Sequence, residues 1–178
     1  MSPVQPAVQR VLDAAARKGV QLDVREFDRS THTAAEAAAA VGAEVGQIVK
    51  SLVFVADGTD GIQACLVLAS GANTVDLGML AAILTEPNIR RATADEAREL
   101  TGFTIGGIPP FGHITALRTV MDPDLGRFET VWAAAGTANA VFAVTPTALR
   151  ILTNALVTPI SAAPAPVTAP LSANAGSA

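Results

Sequence analysis

The sequence predicts an α+β fold, a single compact domain with a curled mixed β-sheet and short helices packed outside it. Its 178 residues are enough for one well-buried core and too few to expect two. Half of the residues are apolar and only 16% are charged, which is typical of a globular chain. Apolar runs of strand length also outnumber the segments with helical spacing, and short helices interrupt them.

The elements of the N-terminal half follow from spacing and from one helix cap. Apolar side chains recur at helical spacing or alternate with polar ones, which separates helices from strands. Thr33 and Glu36 form a capping-box pattern. The Gly-rich segment 57–61 joins two apolar runs as a five-residue hairpin loop. The expected elements are a helix over 3–18, a strand over 21–27, a helix from Thr33 to Gly42, and strands over 48–55 and 62–69.

Helix caps also organise the C-terminal half. Asp76 can cap a helix, Thr93 and Glu96 repeat the capping box, and Thr145 precedes a proline at a first helical position. The segment 104–113 contains too many Gly and Pro residues for regular structure. The expected elements are helices over 79–84, 93–102 and 145–154, and strands over 89–92, 117–121, 130–134, 141–144 and 157–160.

Composition divides the chain into a domain over residues 1–160 and an Ala/Pro-rich tail over 161–178. The tail has no charge and little but small residues, so it is expected to be flexible and to take no part in the chemistry. No apolar run approaches the ~20 residues of a membrane span, and no secretory pattern begins the chain. Cys65 lies in an apolar run without a disulfide or metal partner, which predicts a buried thiol. These features favour a cytoplasmic location for the protein.

The charge of the chain restricts how it can bind nucleic acid. The net charge is −4, and the cations are spread thinly, with one pair of adjacent arginines at Arg90 and Arg91. Proteins that hold long stretches of phosphate backbone usually show a basic face. An RNA partner is therefore expected to be held only at its tip, and neither DNA nor a membrane is expected as a partner.

Lys50 is the most informative single position. The chain has only two lysines, and Lys18 ends a helix, where a cation is expected. Strand alternation places Lys50 on the same face as Leu52 and Phe54. It is either an edge-strand or snorkelling lysine, or a lysine at the mouth of a sheet that is directed at an ester carbonyl or a phosphate. The pattern leaves both interpretations open.

Gly106 and Gly107 begin the second candidate feature, a loop with the sequence Gly-Gly-Ile-Pro-Pro-Phe-Gly. Glycines let backbone N–H groups approach a ligand closely, and prolines stiffen the loop. Such a loop can bind an oxyanion or hold a carbonyl group. It matches neither the dinucleotide-binding nor the phosphate-loop pattern, and a purely structural loop remains an alternative.

Four further residues are candidates for substrate binding. His113 follows the glycine loop and can line the same site or serve as a hydrogen-bonded structural histidine. His32 precedes a helix, where its ring can simply help to form the turn. Asp122 ends a strand and Gly136 opens a hairpin turn, so both have structural interpretations first. Neither histidine has metal-ligand spacing to Cys, Asp or Glu, and no metal site is expected.

Together these segments resemble the YbaK/ProX family of aminoacyl-tRNA deacylases, which also occurs as an editing domain in some prolyl-tRNA synthetases. The resemblance covers about residues 8–160, and its specificity comes from the order and spacing of the motifs. These are His32 before the helix that ends at Gly42, Ile-Val-Lys50-Ser-Leu-Val-Phe, Ala-Ser-Gly71 followed by Asp76, Leu-Thr-Gly102-Phe, the loop from Gly106 to His113, Val-Met-Asp122, and Ala-Gly136-Thr-Ala-Asn139.

The resemblance implies a hydrolase that removes small, wrongly attached amino acids from tRNA without a metal or organic cofactor. The lysine that matches Lys50 is implied to be catalytic and to bind near the ester, and the backbone at Gly106 and Gly107 to hold the aminoacyl end. The implied partner is the acceptor end of aminoacyl-tRNA, and a synthetase stays open as a second one. A non-catalytic aminoacyl- or protein-binding regulatory module of the same fold, or unconnected surface features, remain alternatives.

Overall fold

The computed structural model describes residues 3–58 and 60–162, in which five α-helices surround an eight-stranded mixed sheet. The predicted α+β class is therefore confirmed. The helices are α1 (Pro6–Ala16), α2 (Ala34–Val41), α3 (Leu77–Leu84), α4 (Ala94–Thr101) and α5 (Pro146–Thr153). The strands are β1 (Val24–Glu26), β2 (Ile48–Gly58), β3 (Gly61–Ser70), β4 (Ile89–Arg91), β5 (Arg118–Met121), β6 (Val131–Ala134), β7 (Ala140–Val144) and β8 (Leu156–Val157).

The long hairpin of β2 and β3 is the centre of the sheet. Its register runs from Val49 opposite Ser70 to Gly58 opposite Gly61. The hairpin is confirmed, but its strands are longer than predicted because the glycines that were expected in the loop continue the pairing. The strand order is β1-β7-β6-β2-β3-β5-β8, and β4 pairs with β2 outside this path. The β2–β6, β3–β5 and β5–β8 pairs are parallel.

One edge of β2 has two different neighbours with an opening between them. Strand β6 pairs with β2 only at residues 48–49, and β4 pairs with it only at residues 54–56. The Ala92 N–H extends the β4 contact by donating to the Val53 carbonyl at 3.0 Å. Over residues 50–52, β2 is paired only with β3. We refer to this opening, bounded by β6, β4 and residues 50–52, as the slot.

The predicted helix caps fix where the helices beside the slot begin. The Thr33 hydroxyl accepts a hydrogen bond from the Glu36 N–H at 3.1 Å, and Thr93 does the same for Glu96 at 3.2 Å. In both boxes the glutamate carboxylate accepts the N–H of the capping threonine. These reciprocal bonds satisfy N–H groups that a helix start leaves free, so α2 and α4 begin at the residues after the two threonines.

The end of the domain differs from the prediction. The last strand was expected over 157–160 but ends at Val157, because Ile160 turns away from the sheet into the core on the α3 side. Ile160 is fully buried, and its carbonyl accepts the Asp76 N–H at 2.8 Å. The tail predicted over 161–178 lies, from residue 163 onward, outside the described residues.

The two faces of the sheet carry separate cores. Helices α1, α4 and α5 cover the larger core, whereas α3 covers a smaller one that includes Leu80 and Cys65. Cys65 is buried, as predicted, and its burial raises the pKa of the thiol to about 11. A third cluster lies between α2 and the sheet at Ile48 and Trp132. No helix in the described part of the chain is long and apolar enough to cross a membrane.

Candidate active site

The slot opens into a cavity of about 250 Å³. Because β6 and β4 pair with separate ends of β2, the middle of β2 forms a wall of this cavity instead of being covered by a neighbouring strand. Four further segments contribute lining residues. They are 31–41, which precedes and includes α2, 91–97, which begins at the end of β4, the loop 105–108, and the β6–β7 hairpin at 132–141.

Two cationic side chains, Lys50 and Arg91, contribute to the walls of the cavity. His32 also lines it, and none of the described lining residues is an aspartate or a glutamate. The whole chain has a net charge of −4, so the cavity is locally opposite in sign to the molecule. A cleft lined by one sign of charge attracts ligands of the other sign, which favours an anionic or oxyanion-forming ligand here.

Lys50 lies on the wall that β2 contributes. Its ammonium donates a hydrogen bond to the Asn73 carbonyl, in the segment that follows β3. Burial lowers the pKa of Lys50 from its ordinary value, the neighbouring Arg91 cation lowers it further, and Asp122 opposes both effects. β2 has strands on both sides, so Lys50 is not an ordinary edge-strand lysine; it lies where the sheet opens.

Gly106 and Gly107 occupy different environments. Gly106 has a φ of 95°, lines the cavity, and would place a Cβ 3.7 Å from that of Ala138. Its N–H is bonded to no backbone carbonyl of the described residues. Gly107 is outside the cavity lining; its N–H donates to the Thr104 carbonyl at 3.0 Å, and an added Cβ would lie 2.6 Å from the Thr137 Cα. Gly106 can therefore offer its N–H to a ligand, whereas Gly107 lets the loop pack closely.

The two histidines are not brought together. His32 is exposed and lines the cavity, and its backbone N–H donates to the Glu36 carboxylate at 2.6 Å. His113 lies outside the lining, with its Nε2 2.7 Å from the Pro109 carbonyl and its ring in a T-shaped contact with Phe103. Because a carbonyl only accepts, this contact requires the proton on Nε2. Burial lowers the pKa of His113, which favours the neutral imidazole, and the contact with Pro109 ties the ring to the glycine-proline loop.

Asp122 and Gly136 support the cavity from behind its walls. The buried Asp122 carboxylate accepts a backbone N–H at the end of β3 at 3.1 Å and the Asn73 side-chain amide at 2.8 Å. Asn73 also carries the carbonyl that binds Lys50, so Asp122 positions the lysine's partner. Gly136 has a φ of 103°, and an added Cβ would lie 2.7 Å from the Ala7 carbonyl oxygen. This glycine lets the β6–β7 hairpin pack against α1.

Ser51 lines the cavity but was not a candidate in the sequence. Successive strand residues direct their N–H and C=O groups to opposite edges. The Val53 carbonyl points toward β4, so the main chain of Ser51, two residues earlier, faces the slot. The Ser51 Oγ is also buried without a hydrogen-bond partner among the described residues. Only the position of the slot marks this serine as unusual, and the slot depends on pairings between distant segments.

Arg91 is the second lining residue that sequence reasoning missed. Its guanidinium lies over the Phe54 ring, 5.5 Å from the ring centroid, and partial burial lowers its pKa. The adjacent Arg90 is held by Glu96 and Asp57. The Arg90–Arg91 pair was visible in the sequence, but the strand pairing of β4 decides which arginine faces the cavity.

Known proteins that are similar to this chain include two bacterial proteins and one solved structure. The Bacillus subtilis (strain 168) protein YwhH is 35% identical over 131 residues, which cover 70% of this chain and 76% of YwhH. The Escherichia coli (strain K12) multifunctional Ser/Thr-tRNA deacylase ProXp-y is 32% identical over 128 residues, covering 69% of this chain and 74% of that protein. The crystal structure of a proposed trans-editing enzyme for prolyl-tRNA synthetase has a TM-score of 0.83 and 49% identity, covering 90% of this chain and all of that one.

The family profile agrees with these individual similarities. The profile of the aminoacyl-tRNA editing domain matches residues 28–152. This range includes β2, the glycine loop and the β6–β7 hairpin, and therefore most of the cavity. The resemblance to aminoacyl-tRNA deacylases inferred from the order of the motifs is thus confirmed, and with it the enzyme class. The chain belongs to the aminoacyl-tRNA editing domain family.

Proposed function

We propose that this protein is a trans-acting deacylase that hydrolyses the ester of tRNAs carrying a wrongly attached small amino acid. One observation carries the proposal: His32, Lys50 and Gly106 line the same cavity at the slot, although His32 and Gly106 lie 74 positions apart in the chain (106 − 32). A space of about 250 Å³ suits an aminoacyl group and part of a ribose. It does not suit a nucleic-acid duplex.

The proposed reaction is attack of water on the ester carbonyl. The Lys50 ammonium has three N–H donors and gives one of them to the Asn73 carbonyl, which leaves donors for the developing oxyanion. The Gly106 N–H is a second donor to that oxygen. The bond between the acyl carbon and the ribose oxygen then breaks. The ribose oxygen takes up the proton that the water releases, and the products are a free amino acid and an intact tRNA.

The lability of an aminoacyl ester makes this machinery sufficient. Positioning of the two reactants and stabilisation of the oxyanion each lower the barrier substantially. The proposed mechanism therefore needs no covalent intermediate and no metal or organic cofactor. Within residues 3–58 and 60–162, no group of His, Cys, Asp and Glu side chains is arranged to hold a metal ion.

We include serine and threonine among the proposed substrates. The relative from Escherichia coli is named as a Ser/Thr-tRNA deacylase. The Ser51 Oγ is buried without a protein partner among the described residues, and an unpaired buried hydroxyl costs about 1–3 kcal/mol. Ser51 lines the cavity through its other atoms, so a small shift of its side chain would let a hydroxyl on the bound amino acid become the missing partner. This favours serine over alanine and threonine over valine.

The acceptor end of aminoacyl-tRNA is the proposed partner. The positive lining of the cavity in an acidic protein supports contact with the tip of the tRNA only. A prolyl-tRNA synthetase is a candidate second partner because the similar solved structure is named for editing in that system. We place this activity in the cytoplasm, where tRNAs are charged.

A panel of mischarged tRNAs tests the proposed function. One tRNA charged with alanine, serine, threonine, valine or cysteine is incubated with the protein, and free amino acid is measured under single-turnover conditions. We expect faster hydrolysis than without protein, with serine ahead of alanine and threonine ahead of valine. Binding of these tRNAs without acceleration of any of them would instead identify a non-catalytic module of the same fold.

A further inference from the structure

We propose that Arg91 binds the phosphate on the 5′ side of the terminal adenosine of tRNA, and that this contact orients the aminoacyl ester toward Lys50. The inference rests on the proposed function, because it concerns another part of the same substrate.

The two adjacent arginines, Arg90 and Arg91, differ in their ion pairs. Arg90 forms two 2.9 Å hydrogen bonds to the Glu96 carboxylate and lies 3.4 Å from the Asp57 carboxylate. These partners raise the pKa of Arg90. Arg91 pairs with no carboxylate of the described residues. Arg90 is therefore neutralised by the protein, whereas the charge of Arg91 remains available to a ligand.

Arg91 is held by an aromatic ring and not by a carboxylate of the described residues. Its guanidinium lies over the Phe54 ring, 5.5 Å from the centroid, and the residue remains exposed to solvent and lines the cavity. An arginine stacked on an aromatic ring keeps its planar set of N–H donors free. That set matches two oxygens of a phosphate, and such paired, charge-assisted hydrogen bonds are strong.

Arg91 pairs in register with Phe54, which lies in the same strand as Lys50. Phe54 lies four residues after Lys50 in β2, so the two residues share a face and are roughly 13 Å apart along the strand. The long side chains of Lys50 and Arg91 can approach each other across this interval, and the charge of Arg91 is felt at Lys50. A terminal nucleoside carries the ester on one side of its ribose and the phosphate on the other. It can therefore contact both cations at once.

The phosphate also resolves an electrostatic conflict within the cavity. Two cations face the same space, none of the described lining residues is a carboxylate, and Asp122 behind the wall offsets only part of the charge at Lys50. A bound phosphate supplies further negative charge and favours the protonated form of Lys50. The substrate thus helps to keep its own oxyanion donor charged.

Two small esters isolate this contact from the rest of the tRNA. The substrates are 3′-O-aminoacyl adenosine and the same ester with a 5′-phosphate, both carrying the amino acid that the tRNA panel identifies. The measured quantity is the ratio of their kcat/KM values, which is independent of the fraction of folded protein. In the wild type we expect the kcat/KM of the phosphorylated ester to exceed that of the other ester by about 10- to 100-fold, which is the range of one charge-assisted contact. Arg91→Gln should bring the ratio close to one, and Arg90→Gln should keep the wild-type ratio.

The salt dependence of binding to whole aminoacyl-tRNA provides an independent readout. Loss of one phosphate contact to a single strand should reduce the slope of log K against log salt concentration by about 0.7. We expect this reduction in Arg91→Gln and not in Arg90→Gln. A wild-type ester ratio and an unchanged slope in Arg91→Gln would overturn the inference, as would equal losses in both arginine variants. Absence of hydrolysis of every ester and every tRNA by the wild type would instead overturn the proposed function.

Discussion

Gly106 and Gly107 show how adjacent residues divide a role that the sequence predicts for both. Gly106 lines the cavity at a φ of 95°, in the left-handed region that favours glycine. Gly107 is buried against the β6–β7 turn, and its N–H is already bonded within the loop. We therefore propose that Gly106 contacts the substrate and that Gly107 keeps the loop close to its support.

Alanine substitutions should separate these two roles. Gly106→Ala should lower single-turnover deacylation per folded molecule, with a stability loss of about 1 kcal/mol from its positive φ. Gly107→Ala should lower the melting temperature more, because its Cβ would lie 2.6 Å from the Thr137 Cα. Both quantities are measured on the same preparations. A Gly106→Ala variant that hydrolyses normally once folded would remove this glycine from the active site.

The pKa of Lys50 determines the pH range of the proposed activity. The protonated ammonium is the active form, so activity is present below the pKa and is lost as the pH rises through it. Because burial and Arg91 lower this pKa, the loss should begin below the ordinary lysine value of 10.5. The check is a profile of kcat/KM against pH, corrected for hydrolysis without enzyme. If Lys50→Arg retains measurable activity, its profile should lack this alkaline decline, because arginine stays protonated.

At the level of elements, local patterns were sufficient for the helices. The capping boxes at Thr33 and Thr93 and the cap at Asp76 predicted where α2, α4 and α3 begin, because a cap involves residues only three apart. The glycine at position 42 has the left-handed conformation expected at a helix end. The presence of a strand could also be predicted from local sequence, because it depends on a run of apolar residues.

Strand pairing was not predictable in the same way. The parallel contact of β2 with β6 joins residues 48–49 to residues 132–133, and no local pattern specifies that partner. The slot depends on this pairing and on the β4 pairing farther along β2. For this reason Lys50 could be singled out from the sequence, whereas Ser51 and Arg91 could not. Their chemistry depends on an opening that only the assembled sheet creates.

For the whole molecule, the structure allows a sharper test of the predicted domain boundary. Ile160 is fully buried in the α3-side core, and its carbonyl binds the Asp76 N–H. A chain ending at Ala162 should keep the wild-type melting temperature and activity, whereas Ile160→Ala in that chain should cost about 2–5 kcal/mol of stability. Thermal and urea unfolding measure the stability of the truncated chain and of its Ile160→Ala variant. A loss of several degrees on truncation at Ala162 would show that the tail contributes to the domain.

The charge distribution of the whole molecule agrees with a narrow contact with tRNA. The chain is acidic overall, yet the cavity contains Lys50 and Arg91 and no carboxylate among its described lining residues. Binding energy from such a surface is concentrated at the end of the substrate that reacts. Selection of the amino acid and cleavage of its ester would then take place in one small, positively charged space.

Single-turnover deacylation by Lys50→Met, with Lys18→Met as its control, tests the central claim most directly. Methionine keeps the apolar stem of each lysine and removes its charge, and Lys18 lies away from the cavity, where it donates to the Leu152 carbonyl. We predict that Lys50→Met folds normally and hydrolyses mischarged tRNA at least ~100-fold more slowly, the effect of losing one oxyanion donor, while Lys18→Met keeps the wild-type rate. Hydrolysis by folded Lys50→Met at the wild-type rate would contradict the account.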